Sequence, residues 1–228
     1  MNFNNLIKNG LYLPFLSFFI YFLTDDLYLT TFFFLKAFSV NYYVNYCHLY
    51  SNPKIYRWRH MIRLTDTGHI ASFLFYFNKK TIPIAHNIHF VINSGYYISK
   101  LLFNMKDTDK VDRSYYINEY IQKFHEYLNH SISYILIVYY MLTNSNENYE
   151  FDNMSLLYTY IWLYVWLLFI YTPWVLLTDD YIYSIFEPSK PIYIRLGMIL
   201  FINILAYISN NVGKIIQLYQ LFIELIKL

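Results

Sequence analysis

Residues 155–177 read SLLYTYIWLYVWLLFIYTPWVLL, 23 residues without a charge. A helix that crosses the hydrocarbon layer of a bilayer needs about 20 mostly apolar residues. This stretch is long enough, and Trp174 stands near its end, where an interfacial anchor belongs. The rest of the chain agrees with it. The 228 residues are 57% hydrophobic and 14% charged, with a mean hydropathy of +0.26. A soluble domain carries about 25% charged residues. Disorder needs low hydrophobicity and high charge, so it is excluded. A net charge of +2 gives no electrostatic footprint for nucleic acid.

Further candidate spans lie on both sides. Residues 191–212 form the second, with Arg195 placed to snorkel. Residues 27–47 form the third and contain Lys36; residues 11–23 form a short fourth with Pro14. The middle is less regular. Residues 68–78 are too short to cross alone, and residues 81–103 are interrupted by His86, Asn87, His89 and Asn93. They read as two short helices broken at Asn78-Lys79-Lys80, or as one span after an interfacial turn. Residues 115–142 start amphipathic and turn apolar after Asn129. The expectation is an all-α, polytopic transmembrane bundle of six or seven spans, a single domain over residues 1–228. A C-terminal amphipathic helix at 214–228 ends it, lying at an interface, binding a partner or packing on its own bundle.

Chemistry-bearing motifs are sparse. Cys47 is the single cysteine, so no Cys-based metal cluster is expected. With five glycines, neither the P-loop nor the dinucleotide fingerprint appears. His86 and His89 are three apart, and His125 and His130 five apart. Such pairs serve haem or metal in other bundles, but here they read as polar groups satisfied inside the bundle. No metal and no cofactor are expected. The loop 52–66 carries Lys54, Arg57, Arg59 and Arg63, which marks the positive-inside face. Lys54, Arg57 and Arg59 are the expected contacts for the headgroup of an anionic phospholipid such as cardiolipin.

Three segments carry a resemblance. YLTTFFFL at 28–35, Leu128-Asn129-His130 before an apolar helix, and 181–195 with Phe186-Glu187, Pro191 and Arg195 follow one another in order. Together they resemble the androgen-induced-protein family, which includes the androgen-dependent TFPI-regulating protein. The resemblance implies six membrane helices and, for some members, hydrolysis of branched fatty-acid esters by a Thr and a His. Thr31 would be the nucleophile. Ser133 stands where the family's catalytic His belongs, leaving His130 as the substitute base, so the enzyme reading is weakened. The abundance of Tyr, Phe and Asn also resembles protist mitochondrial membrane proteins that serve as respiratory accessory subunits. The function expected first is therefore a non-catalytic subunit of a mitochondrial inner-membrane respiratory complex, with other membrane subunits as partners and no nucleic acid. A lipid-ester hydrolase is the alternative.

Overall fold

A computed structural model describes residues 62–103, 127–144 and 149–227. All regular structure in them is helical. The described residues fall into two compact units, 127–136 and the remainder. The candidate spans 11–23 and 27–47, with Thr31, Lys36 and Cys47, lie outside the described residues. So do Lys54, Arg57, Arg59 and His125.

Helix α1 spans Leu64–Phe77. No side chain of its own first turn caps it. Instead the Tyr183 hydroxyl accepts the Leu64 N–H at 3.1 Å, so this helix start depends on tertiary packing. It ends at Asn78, whose backbone is extended at φ −144°. The Asn78 side chain accepts the Lys80 N–H at 3.1 Å, and its carbonyl accepts the Thr81 hydroxyl at 2.8 Å. These bonds favour a turn over continued helix. A 3-10 turn, Lys79–Thr81, then leads into α2, Ile82–Phe103. The break thus falls where the sequence places it, between a 14-residue helix and a 22-residue one.

A π-turn at Leu128–Ile132 opens α3, Ser133–Thr143. The apolar helix His130–Thr143 is 14 residues long, about 21 Å at 1.5 Å per residue. That is shorter than the hydrocarbon layer.

Helix α4, Asn153–Val165, continues through a π-turn, Trp166–Tyr171, into α5, Thr172–Thr178. The wide turn has a cause in the sequence. Pro173 lacks an N–H and its ring would press on the carbonyl four residues back. Widening the preceding turn relieves that clash, and the Thr172 hydroxyl donates to the Leu167 carbonyl at 2.7 Å. The helix ends at Asp179 in the left-handed region at φ 53°, where its N–H bonds the Val175 carbonyl at 2.8 Å. A 3-10 turn, Ser184–Phe186, precedes α6, Ile192–Lys227.

Two helical stretches are long and apolar enough to cross a membrane, Asn153–Thr178 and Ile192–Ile223. Six or seven such stretches are not found among the described residues: α2 is interrupted by its His and Asn residues, and His130–Thr143 is too short. A second correction concerns the tail. Residues 214–227 are not a separate amphipathic helix but the continuation of α6. Gly213 costs a helix interior only about 1 kcal/mol, and no proline intervenes, so nothing breaks it.

Helix α2 packs against α1, α4 and α6. Its core residues Ile88, Val91 and Ile92 cluster with Leu163, Trp166, Leu205 and Ala206. Two glycines permit close approach. A Cβ on Gly68 would overlap Ile92, and one on Gly213 would overlap the Phe151 ring.

Candidate functional site

The most polar part of the interior lies where α2, α4 and α6 meet. Asn87 is fully buried, as are His86, Thr159 and Ser209, with Asn210 and Ser155 nearly so. Asn87 sits at the centre. Its Nδ2 donates to Thr159 Oγ1 at 3.1 Å and to Asn210 Oδ1 at 3.0 Å. Its Oδ1 accepts from Ser209 Oγ at 2.9 Å. Ser155 Oγ lies 3.0 Å from Asn210 Oδ1 and 2.8 Å from the Asp152 carbonyl. Asn210 Nδ2 donates to that same carbonyl at 3.1 Å. Thr159 Oγ1 donates back to the Ser155 carbonyl at 2.8 Å.

The placement follows from helical spacing. Ser155 and Thr159 are four apart, so they share one face of α4. Ser209 and Asn210 are adjacent on α6 and straddle the line that faces α2. Five of these bonds join different elements. At roughly 0.6 kcal/mol for an interhelical bond in a membrane, they contribute about 3 kcal/mol together.

Asp152 anchors the edge of the network. Its carboxylate accepts the Ser155 N–H at 2.7 Å and caps α4. That backbone hydrogen bond holds the carboxyl below the usual carboxylate range. The side chain itself is exposed.

His86 and Ser209 invite a catalytic reading, because Ser209 Oγ lies 3.3 Å from His86 Nδ1. A nucleophile and base must also be reachable. Both residues are fully buried, and the Ser209 hydroxyl has a nearer acceptor in Asn87. The His86 ring packs edge-on against Phe151 at 5.1 Å. The pocket between α4 and α6, lined by Leu163, Trp166, Ile199 and Asn203 among others, involves none of the network. Its ≈ 20 Å³ is about the room one water needs.

The histidines of the sequence reading separate in space. His86 faces α6, whereas His89 faces α1, where its Nε2 lies 2.9 Å from the Gly68 carbonyl and beside Ser72 Oγ. That carbonyl can only accept, so Nε2 carries the proton. His69 stacks obliquely on His89 at 5.5 Å. His130 lies half-buried in the π-turn, and Ser133 is buried at the start of α3. Among the described residues, no three His, Cys, Asp or Glu side chains gather to hold a metal ion.

Sequence reasoning missed the network. It took Asn87 as an interruption and passed over Ser155, Thr159, Ser209 and Asn210. The available signal was small polar residues at helical spacing inside otherwise apolar helices. The outward surfaces differ sharply from this interior. In the most apolar window of Asn153–Thr178 only 17% of residues are buried, and in that of Ile192–Ile223 only 22%. Leu168, Phe169, Leu176 and Leu177 on the first, and Leu196, Leu200 and Ile204 on the second, are exposed. No family model, curated protein or solved structure matches the chain.

Proposed function

We propose that this chain is an integral-membrane, non-catalytic helical subunit of a larger assembly, and that the assembly is a respiratory complex of the mitochondrial inner membrane. One observation carries the first part: the polar side chains turn inward and bond one another, while the long apolar helices leave most of their surface uncovered. A water-soluble domain rarely exposes a contiguous apolar patch beyond a few hundred Å². Lipid and partner helices are the surroundings that suit such a surface. A chain whose interior polar groups hold its own helices together acts through its exterior, by packing.

The finer elements come from the sequence. The mitochondrial and respiratory assignment rests on the Tyr-, Phe- and Asn-rich composition. The six-span count needs residues 11–23 and 27–47, α2 and the His130–Thr143 helix to cross beside the two long stretches. Lys54, Arg57 and Arg59 are the proposed contacts for an anionic phospholipid headgroup. The ester-hydrolase reading rests on Thr31, which lies outside the described residues, with His130.

Native size tests the proposal. The tagged protein is extracted from its membranes in digitonin and resolved on a native gel, and the band is identified by mass spectrometry. Co-migration with a respiratory assembly is the expected result. Migration as a small detergent-bound species would overturn it, as would release of the protein from membranes by alkaline carbonate.

A further inference from the structure

One wall of the polar interior is not helical. It is formed by residues 149–151, which run without helical structure into the cap of α4. Their side chains alternate, as in extended chain. Tyr149 and Phe151 are each only 4% exposed, whereas Glu150 and Asp152 face out. The Phe151 ring meets His86 edge-on at 5.1 Å and Tyr149 edge-on at 6.1 Å. It seats on α6 where Gly213 has no side chain, since a Cβ there would overlap the ring. Behind the ring lie the fully buried His86 and Ser209, whose Nδ1 and Oγ are 3.3 Å apart. Beside it stand the two exposed carboxylates. Phe151 thus separates the polar network from the charged end of the bundle.

What fastens this segment is distinct from what fastens α4. The segment is held by Gln217 Nε2, which donates to the Tyr149 carbonyl at 2.7 Å, and by the Tyr149 hydroxyl, which donates to Gln220 Oε1 at 3.3 Å. The start of α4 is held at Asp152. Its carboxylate accepts the Ser155 N–H, and its carbonyl accepts from Ser155 Oγ and Asn210 Nδ2. Helix α4 therefore keeps its cap and its tie to α6 when 149–151 lift away. Asp152, with an extended backbone at φ −110° and ψ −170°, is the pivot. A ring in a notch and two side-chain bonds give way before helices that share an apolar core, because proteins open first where the fewest contacts must break.

We propose that residues 149–151 are a strap, pivoting at Asp152, that seals the polar network from water and opens as a unit while α2, α4 and α6 stay packed. The open strap brings His86 and Ser209 to the aqueous end, so the charged loop and the polar interior respond to one another. The device lies inside the bundle and is independent of what surrounds the chain.

The test uses the full-length protein in open fragments of its own membranes, with Cys47→Ser so that one thiol at a time is followed. The reporters are Ser209→Cys, behind the strap, and Ala206→Cys, one turn deeper on α6 and fully buried in the core cluster. The probe is a charged methanethiosulfonate, which attacks only a thiolate that water can reach. In the parent, position 209 should label at least tenfold faster than position 206. Phe151→Ala should raise the rate at 209 a further tenfold or more and leave 206 unchanged. Gln217→Ala removes one strap bond, keeps the Phe151 ring, and should raise the rate at 209 several-fold; it alone decides where Phe151→Ala does not accumulate. Equal rates at 209 and 206 in the parent, or a rate at 209 that neither variant raises, would overturn the proposal. So would a Gln217→Ala protein in which both positions label together, because the segment would then be part of the core and not a strap over it.

Discussion

Replacing Asn87 with Leu removes the centre of the network while keeping the branched shape of the side chain. No cavity opens, so the change reports hydrogen bonding more than packing. Four bonds are lost, to Thr159, Asn210, Ser209 and the neighbouring His86 Nδ1. The partners are not equally harmed. Thr159 keeps its bond to the Ser155 carbonyl. Asn210 keeps Ser155 and the Asp152 carbonyl. Ser209 retains His86 Nδ1 at 3.3 Å. At the membrane average of about 0.6 kcal/mol per bond, the loss is roughly 2 kcal/mol in all. That shifts the folded-to-unfolded ratio about thirtyfold. Reversible unfolding in bicelles measures it, with Asn210→Leu and the double variant completing a cycle. The coupling energy should be about 0.6 kcal/mol, the worth of the one direct bond. An Asn87→Leu protein as stable as the parent, or a coupling of zero, would refute the claim that this network holds α2, α4 and α6 together.

Three further outcomes are expected. Gly197→Ala should raise the stability of α6 by about 0.5–1 kcal/mol, since a Cβ there meets nothing, whereas Gly213→Ala should lower it by about 1–3 kcal/mol by displacing Phe151; thermal melts of the two variants in detergent should move in opposite directions. Asp152→Ala should cost about 0.5–2 kcal/mol by removing the cap of α4. Because the folded carboxyl titrates below its unfolded value, the parent's cap is intact above the unfolded pKa and is lost as pH falls below about 4 through the folded value; an Asp152→Ala melt should lack that acid-side loss. Lys79→Met should cost about 0.5–2 kcal/mol, because the ammonium lies 4.6 Å from the Tyr140 ring centroid, 5.5 Å from that of Phe75, and bonds the Tyr140 hydroxyl; unchanged stability with unchanged Tyr140 fluorescence would contradict that contact.

How much of this was legible in the sequence depends on the scale of the signal. Residues 155–177 announce a helix by length and absence of charge, and the observed stretch is Asn153–Thr178. The two extra residues at its start belong to the cap: Asp152 must precede the helix to receive the Ser155 N–H, and apolarity does not mark that position. The break at Asn78 was legible because an Asn side chain competes for backbone N–H groups next to two lysines. The polar network was not. In a chain this rich in Asn, a single Asn carries little information, and what gives Asn87 its role is the meeting of three helices far apart in sequence. The tail misled for a related reason. Its polar residues fall at amphipathic spacing, yet Gln217 and Gln220 are spent on Tyr149, so the polar stripe faces the chain's own loop and the apolar stripe faces out.

That inversion orders the mutational behaviour of the whole described bundle. Asn87, Ser155, Thr159, Ser209 and Asn210, of types that decorate the surface of a soluble protein, are here interior, and each is tied to another helix. Aliphatic residues fill the core around Ile88, Leu163 and Leu205 and also cover the exterior at Leu168, Leu176, Leu200 and Ile204. Substitutions at Asn87, Thr159, Ser209 and Asn210 act on whether the helices find one register, because a shifted register leaves buried donors unmatched in surroundings that supply few alternatives. Substitutions at Leu200, Ile204 or Leu218 remove no internal bond and touch only what surrounds the chain. The two sets should therefore separate cleanly: the first lowers unfolding stability of the isolated protein, and the second leaves it unchanged while altering residence in a native assembly. A functional scan that mixed these classes on a single plane of the bundle would contradict the inward-polar arrangement itself.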